Sequence, residues 1–199
     1  TGKFAEATTG FTIDGAHCYL AIASSDRAFV LKHNGREFIA HQNFKTLRST
    51  SVDFVSVDPI SRHHLLAFSS YSNRTSYNVP SYLYRWNNVT ELFQLHQTLP
   101  STGAKNINFF FTEQKLWLAI TCSVSGTKTS QDVAFSQIYI WRNSSFYLHQ
   151  HLPVLAVQNL YPLVIGCHTF IIASNKSDSH VYYKESDSFK NYLCHSVLI

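Results

Sequence analysis

The sequence lacks methionine at all 199 positions and holds few charged residues, which make up 14% of the chain. Average proteins have about 25% charged residues, and disordered chains combine high charge with few aromatic residues. Because 15% of this chain is aromatic, its composition argues against disorder and favours a globular domain. No apolar run approaches the ~18 residues of a membrane-spanning helix. Since position 1 is not methionine, we expect a processed chain from which any signal peptide has been removed.

Several signatures of function are also missing. No Cys-x-x-Cys pair occurs, which argues against a zinc knuckle or a thioredoxin-type site. The chain has no G-x-S-x-G, H-E-x-x-H, P-loop or G-x-G-x-x-G motif, so we predict no catalytic residues and no enzymatic activity. Its net charge of +4 comes from scattered Lys and Arg residues, which predicts that it binds no nucleic acid.

The chain does contain an internal repeat. A Phe/Tyr-x-x-His string, followed by Gln or Ser, recurs at 38–42, 93–97, 146–150 and 192–196. Upstream of it lie strings that end in Trp or Lys, at 29–32, 83–86, 138–141 and 181–184. Alanine-containing apolar strings precede those, at 19–23, 65–69, 117–121 and 170–174, and each unit opens with a further apolar string. The chain is therefore four copies of a unit of about fifty residues.

Each unit predicts four short strands, because its segments are rich in aromatic and β-branched residues and none shows helical periodicity. This pattern predicts an all-β fold, a β-propeller of four-stranded antiparallel blades. We place a single propeller domain over 1–199, with blades at about 8–49, 50–102, 103–156 and 157–199. Two polar segments, 70–80 and 123–136, are expected to be mobile loops on one face of the disc.

The two central units carry the most distinctive residues. They are Leu-Tyr-Arg-Trp at 83–86 with Phe-Gln-Leu-His-Gln at 93–97, Gly-Ala at 103–104, and Ile-Tyr-Ile-Trp at 138–141 with Phe-Tyr-Leu-His-Gln at 146–150. These strings resemble the epilepsy-associated repeat (EAR, or EPTP) of the leucine-rich glioma-inactivated secreted proteins. The first unit lacks the Trp and the Gly-Ala, and the last has Lys184 for the Trp and Ser196 for the Gln.

The family's propellers carry seven repeats, whereas this chain has four. Two alternatives stay open. The four blades close a ring, or they are part of a larger ring completed by further repeats or by a second copy in a homodimer.

The resemblance implies a secreted or cell-surface protein that binds another extracellular protein, as a receptor ligand or a cell adhesion module. The expected partner is a receptor ectodomain, bound by the rim and one face of the disc. A glycan-free face with exposed aromatic residues should form the docking surface. The alternative is a propeller that binds or cleaves glycans over its central channel, and cleavage would need two carboxylates ~5–10 Å apart.

Cysteines and glycosylation sequons point to the same compartment. The four cysteines are Cys18, Cys122, Cys167 and Cys194, and they allow three disulfide connectivities. In a closed four-bladed ring, Cys18 would pair with Cys194 or Cys167. Four Asn-x-Ser/Thr sequons fall in predicted turns or loops, at Asn73, Asn88, Asn143 and Asn175. Sequons in loops and an even cysteine count indicate a secreted or extracellular glycoprotein with disulfide bonds.

The repeat histidines invite a metal or acid–base interpretation, but they occupy equivalent positions on different blades and so cannot converge on one ion. We predict instead that each imidazole bonds to a neighbouring strand or turn. The four are His41, His96, His149 and His195.

A second set of polar residues follows from the repeat register. Asp53, Asn106 and Asn159 are spaced 53 residues apart, at the starts of the predicted innermost strands. Such starts converge on the axis of a propeller, where oxygen ligands would hold Ca²⁺ at the channel mouth. The alternative is a polar ring hydrogen-bonded to water, with no cofactor.

Overall fold

The computed structural model describes residues 5–58, 63–175 and 178–192, and these residues form four four-stranded antiparallel sheets. Sheet 1 consists of β1 (Ala5–Ile13), β2 (His17–Ser24), β3 (Ala28–His33) and β4 (Phe38–Phe44). Sheet 2 consists of β5 (Val52–Asp58), β6 (His63–Phe68), β7 (Ser81–Asn87) and β8 (Leu92–Leu99).

Sheets 3 and 4 complete the fold. Sheet 3 consists of β9 (Ala104–Thr112), β10 (Lys115–Cys122), β13 (Phe135–Arg142) and β14 (Ser145–Leu155). A separate two-stranded ribbon, formed by β11 (Ser125–Gly126) and β12 (Gln131–Asp132), lies between β10 and β13 in the chain. Sheet 4 consists of β15 (Asn159–Ile165), β16 (His168–Ser174), β17 (Ser179–Glu185) and β18 (Ser188–Asn191). The prediction of an all-β fold built from four-stranded antiparallel units is confirmed.

The sheets stack in chain order, because alternating side chains give each sheet two apolar faces. We call the face toward the preceding sheet the front face and the opposite one the back face. Tyr19 and Val30 on the back face of sheet 1 share a core with Phe68, Trp86 and Phe93 on the front face of sheet 2. Two further cores of the same form join sheet 2 to sheet 3 and sheet 3 to sheet 4.

The innermost strands lie side by side, with β1 against β5, β5 against β9, and β9 against β15. Among the described residues the buried cores number three, one for each successive pair of sheets, and none joins sheet 4 to sheet 1. The described residues therefore show no buried core between sheet 4 and sheet 1, and the closed four-bladed ring stays a prediction.

A β-bulge interrupts the outermost strand of each of the first three sheets, and its extra residue is the repeat histidine. In β4, Val30 lies opposite Gln42 and Leu31 lies opposite Ala40, so that His41 has no partner in the ladder. His96 and His149 hold the same place in β8 and β14. Because a bulge breaks the alternation of side chains, the adjacent His and Gln both reach the next sheet.

The glutamine after the bulge joins neighbouring sheets by two hydrogen bonds to one backbone residue, an arrangement we call the glutamine clamp. Gln97 Nε2 donates to the carbonyl of Phe146 at 2.8 Å, and Gln97 Oε1 accepts from the Phe146 N–H at 2.9 Å. The other two clamps are Gln42 on Phe93 and Gln150 on Phe189. Each clamp satisfies outward-facing backbone groups of an outermost strand, which is otherwise a sheet edge.

The histidine beside each clamp donates from Nε2 to a carbonyl in the next sheet's hairpin turn. His41 donates to Glu91 at 2.9 Å, His96 to Ser144 at 2.7 Å, and His149 to Asp187. The prediction that the imidazoles bond to a neighbouring turn is confirmed for these three, whereas His195 lies outside the described residues.

The clamps also correct the register of the fourth unit. Gln150 holds Phe189 as Gln97 holds Phe146, so Phe189 is the repeat phenylalanine of sheet 4. Counting on from it, Tyr192 stands at the histidine position, and the Tyr192 ring lies against Phe170 as the His149 ring lies against Trp117. The predicted placement of Tyr192 at the phenylalanine position was therefore wrong by three residues, because the short string was matched without its pairing partners. His195 and Ser196 of that string lie outside the described residues.

Replacing a clamp glutamine should destabilise the protein. We expect Gln97→Ala to lower the free energy of unfolding by about 1–3 kcal/mol, because the N–H and carbonyl of Phe146 lose their partners beside a buried core. Gln97→Glu should cost at least as much, since its carboxylate places an oxygen against the Phe146 carbonyl. The measurement is urea denaturation, and Gln94→Ala on the exposed side of the same strand is the control, expected within about 0.5 kcal/mol of wild type. Equal effects of Gln97→Ala and Gln94→Ala would contradict the clamp.

Candidate functional site

A cavity of about 430 Å³ lies where the four sheets meet. Glu6 of β1, Lys105 of β9 and Asn159 of β15 line it. The other lining residues are Arg48 and Thr50 ahead of β5, Tyr71 after β6, and Gln158 ahead of β15. Because the lining comes from all four units, the cavity marks the axis around which the sheets stack. This is the place where a propeller has the mouth of its central channel, and we call it the axial cavity.

The axial cavity is polar and predominantly positive. The Arg48 guanidinium lies 5.2 Å from the centre of the Tyr71 ring. Lys128 Nζ lies 5.7 Å from the same ring and 3.7 Å from that of Tyr77, at distances typical of cation–π contacts. Lys105 Nζ donates to the Gln158 side chain. A ligand here would meet aromatic faces, amide groups and cations, which suits hydroxyl-bearing or anionic groups.

Two long connections, 69–80 between β6 and β7 and 123–134 between β10 and β13, lie beside the axial cavity. They correspond to the predicted loops 70–80 and 123–136, and they bond to each other. The Tyr77 N–H donates to the carbonyl of Gly126 at 2.9 Å, and the Lys128 N–H donates to that of Thr75 at 2.9 Å. The Gly126 N–H donates to Asn78 Oδ1 at 2.9 Å. These hydrogen bonds hold Tyr77 and Lys128 beside Tyr71.

Gly103 anchors both loops, which explains the Gly-Ala string of the repeat. Its N–H donates to the carbonyl of Tyr77 at 2.8 Å, and its own carbonyl accepts from the Ser123 N–H at 3.2 Å. Its φ of +50° lies in the left-handed region, and a Cβ there would sit 2.5 Å from the carbonyl oxygen of Val124. Only glycine combines that conformation with so close an approach of two backbones.

The three residues predicted to line the channel mouth have different surroundings. Asn159 lines the axial cavity. Asp53 joins sheet 2 to sheet 3, since its carboxylate accepts from the Phe54 N–H at 2.8 Å and the Phe109 N–H at 2.7 Å. Asn106 Oδ1 accepts from the Ser51 hydroxyl at 2.6 Å. Burial raises the pKa of Asp53, and its two backbone hydrogen bonds oppose that rise.

No group of three His, Cys, Asp or Glu side chains that would hold a metal ion occurs in the part of the chain that is described. The Ca²⁺ site at Asp53, Asn106 and Asn159 stays a prediction. Among the lining residues of the axial cavity, Glu6 carries the one carboxylate, so the pair of acids used in glycan hydrolysis is not assembled by that lining.

The cysteines stand apart from the axial cavity. Cys18 and Cys167 are exposed and Cys122 is buried, and all three are free thiols, so the pairing of Cys18 with Cys167 is not formed. Cys194 lies outside the described residues. Burial raises the pKa of Cys122 to about 11, which keeps that thiol protonated and unreactive.

The sequon asparagines lie at the surface as far as they are described. Asn88 and Asn143 are exposed at the tips of the β7–β8 and β13–β14 hairpins, and Asn73 is exposed in the first long loop. The sequon of Asn175 extends into residues outside the described part. Glycosylation at these positions stays a prediction. None of the described residues belongs to a helix long and apolar enough to cross a membrane.

Comparison with known proteins supports a relation to EAR repeats. No protein-family model matches the chain. The "thrombospondin-type laminin G domain and EAR repeat-containing protein" of Homo sapiens is 28% identical over 153 residues, which are 72% of this chain and 22% of the relative. The Mus musculus protein of the same name is 26% identical over 147 residues, covering 69% and 21%. The chain thus spans about a fifth of the length of these curated relatives.

Solved structures share the arrangement of sheets. An exo-β-1,3-galactanase from Phanerochaete chrysosporium superposes with a TM-score of 0.56 at 10% identity, over 99% of this chain and 50% of that one. The structure of YjhT gives a TM-score of 0.56 at 12% identity, over 99% of this chain and 67% of that one. At these identities the likeness concerns the fold alone.

The galactanase overturns the prediction that this chain is not an enzyme. That prediction rested on the absence of short catalytic motifs, but a galactan-cleaving enzyme has the same arrangement of sheets at 10% identity. A fold of this kind places its functional groups from separate units, so missing short motifs do not argue against catalysis.

Gly103→Ala should destabilise the protein by about 2 kcal/mol or more, because the new Cβ meets the carbonyl of Val124 and the backbone is left-handed. The measurement is the melting temperature. Gly10→Ala is the matched control, since a Cβ at Gly10 meets nothing within 4 Å. A Gly103→Ala protein as stable as the Gly10→Ala protein would show that the two loops do not depend on Gly103.

The described thiols should differ sharply in reactivity. At pH 8 we expect iodoacetamide to alkylate Cys18 and Cys167 in the folded protein, because both are exposed. Cys122, with a pKa of about 11, should react only in denaturant. Peptide mass spectrometry quantifies the alkylated fraction of each cysteine separately. Rapid labelling of Cys122 under native conditions would contradict this prediction.

Proposed function

We propose that this chain is a segment of an extracellular EAR-type β-propeller that binds another protein. The observation that carries the proposal is the Phe-x-x-His-Gln string. It is central to the resemblance to EAR repeats, and in this fold it builds the joints between sheets. The curated relatives that match the chain bear the EAR name.

The geometry supports the propeller within this proposal. Four-stranded antiparallel sheets follow one another in chain order, with their first strands side by side and an axial cavity lined by all four units. That is the arrangement of blades around a channel. In it, the outermost strands form the rim of the disc.

The rim offers apolar side chains to a partner. Leu95 of β8 is 58% exposed, and Tyr147 and Leu148 of β14 are 52% and 47% exposed. Leu95 and Leu148 hold the same repeat position, two residues after the clamped phenylalanine, so the pattern recurs from sheet to sheet. Large apolar residues exposed in series are typical of protein-binding surfaces. We therefore assign the docking surface to the rim of sheets 2 and 3.

Screening of the chain against a library of cell-surface receptor ectodomains tests this function. We expect at least one specific ectodomain to bind, and Leu148→Glu or Leu95→Glu to weaken that binding about tenfold or more. Ile165→Glu is the control, because Ile165 is 58% exposed but lies at the end of the inner strand β15 of sheet 4, outside the rim of sheets 2 and 3. Binding that is insensitive to both rim variants would contradict the assignment of the surface. An absence of any ectodomain ligand would contradict the function.

The axial cavity favours a second candidate function, glycan binding. Tyr71 offers an aromatic face on which a sugar ring would stack, and Arg48 and Lys105 offer donors for its hydroxyl or acidic groups. A glycan array tests it, with Tyr71→Ala expected to abolish any signal. Loss of array binding on Tyr71→Ala, with ectodomain binding unchanged, would assign the two functions to separate surfaces.

A further inference from the structure

Two of the three joints between sheets carry an ion pair beside the repeat histidine. The histidine of each joint donates to the carbonyl of one hairpin residue, which is Glu91 in sheet 2, Ser144 in sheet 3 and Asp187 in sheet 4. The two acidic residues of this set each bind a lysine of the preceding sheet. Lys32 Nζ lies 3.5 Å from the Glu91 carboxylate, and Lys115 Nζ lies 3.8 Å from that of Asp187.

The joint of sheets 2 and 3 keeps the cation and lacks the acid. Arg85 is paired in the ladder with Leu65, the first residue of an alanine-containing string. Lys32 is paired with Tyr19, which opens the equivalent string of sheet 1. Arg85 therefore holds the repeat position of Lys32, but the residue at the acidic hairpin position is Ser144. The ion pairs among the described residues do not include Arg85.

The exposed Arg85 lines a groove of about 450 Å³ on the rim of sheet 2, which we call the rim groove. The hairpin of β7 and β8 forms it, and Leu95, His96 and Val89 belong to its lining. Leu95 is 58% exposed and Val89 is 92% exposed. The described lining holds no carboxylate. The rim groove therefore presents an unpaired guanidinium beside exposed apolar side chains.

A buried histidine at the same joint shows that the charge of Arg85 is not balanced. His63 stands two residues before Leu65, the position that Lys115 holds in sheet 3. Its Nε2 is buried and has no hydrogen-bond partner within the described ranges. Burial and then the charge of Arg85 lower the pKa of His63, and Asp58, opposite it in the β5–β6 ladder, has a smaller raising effect. An additional negative charge would suit this joint.

We infer that the rim groove binds a carboxylate of the protein partner, an aspartate or glutamate side chain that pairs with Arg85 as Glu91 pairs with Lys32. An apolar residue of the same partner segment would lie against Leu95. A guanidinium suits this role, because it binds a carboxylate through two parallel hydrogen bonds. This carboxylate site rests on the proposed function, because the protein that supplies the acid is the one bound at the rim.

A peptide titration tests the rim groove without the partner. The probes are acetyl-Leu-Glu-Leu-amide and the neutral acetyl-Leu-Gln-Leu-amide, added at millimolar concentration to the full chain. We expect the acidic peptide to shift the NMR resonances of Arg85 and Leu95 about fivefold more than the neutral one does, because only a carboxylate forms the paired hydrogen bonds. Arg85→Gln should remove that difference.

Two results of the titration would overturn the proposal. In the first, the acidic and neutral peptides shift the Arg85 resonances equally, so that no carboxylate is recognised. In the second, a sulfated heparin disaccharide binds at Arg85 more tightly than the acidic peptide does, which would make an anionic glycan the ligand.

Variants then test the rim groove with the ectodomain selected by screening. Arg85→Gln should weaken its binding about tenfold. Arg27→Gln is the matched control, since it removes the same charge from an exposed arginine in the β2–β3 turn of sheet 1, and it should change binding less than about twofold.

Ser144→Asp supplies the missing acid within the chain. It should also weaken ectodomain binding, because its carboxylate would occupy Arg85 in place of the partner's. Aspartate tolerates the left-handed φ of +60° at Ser144. In the double variant with Arg85→Gln, Ser144→Asp should cause little further loss, since both changes remove the same contact.

The two tests separate this site from the proposed function. Ectodomain binding that neither Arg85→Gln nor Ser144→Asp changes would overturn the carboxylate site and leave the proposed function standing. Recognition of the acidic peptide at Arg85, with no ectodomain bound in the screen, would support the carboxylate site and contradict the proposed function.

Discussion

The glutamine clamp is the interaction on which the architecture depends. A four-stranded sheet with two apolar faces cannot fold alone, and hydrophobic contact between faces has no direction of its own. The clamp supplies direction. Gln42, Gln97 and Gln150 each hold one backbone residue of the next sheet by both its donor and its acceptor, which fixes the height and the order of the stack. The bulge makes this feasible, because it turns histidine and glutamine to the same side of the strand.

The clamp also distinguishes sheet 1 from the sheets that follow it. Its repeat phenylalanine, Phe38, is 45% exposed, whereas the clamped Phe93, Phe146 and Phe189 are each 2% exposed. The same directional stacking brings the starts of the inner strands together, so the axial cavity follows from the order of the sheets. Arg48 and Lys128 lie over the rings of Tyr71 and Tyr77 in the first long connection, and Gly103 and Gly126 join that connection to the second one. The site thus combines groups from units that are far apart in the chain.

In such a fold, the residues that build the repeat differ from the residues that line the axial cavity. The repeated residues make joints, whereas the cavity residues Glu6, Arg48 and Lys105 do not recur with the repeat. A galactan-cleaving enzyme and this chain can therefore share an arrangement of sheets without sharing residues. The absence of short catalytic motifs is therefore not informative about catalysis in such a fold.

The sequence by itself determined the four units, their four strands each and the structural role of the histidines, because strand periodicity and repeat spacing are local properties. It also located Gly103-Ala104 and the Trp and Phe positions of the cores. Only the tertiary structure decided which residues meet. It showed that the glutamine makes the two-point joint between sheets, and that Phe189 holds the clamped phenylalanine position of the fourth repeat. It also placed Asp53 in a joint between sheets and Asn159 at the cavity. Pairing partners, bulges and uncovered faces depend on contacts between distant units, and spacing along the chain does not encode them.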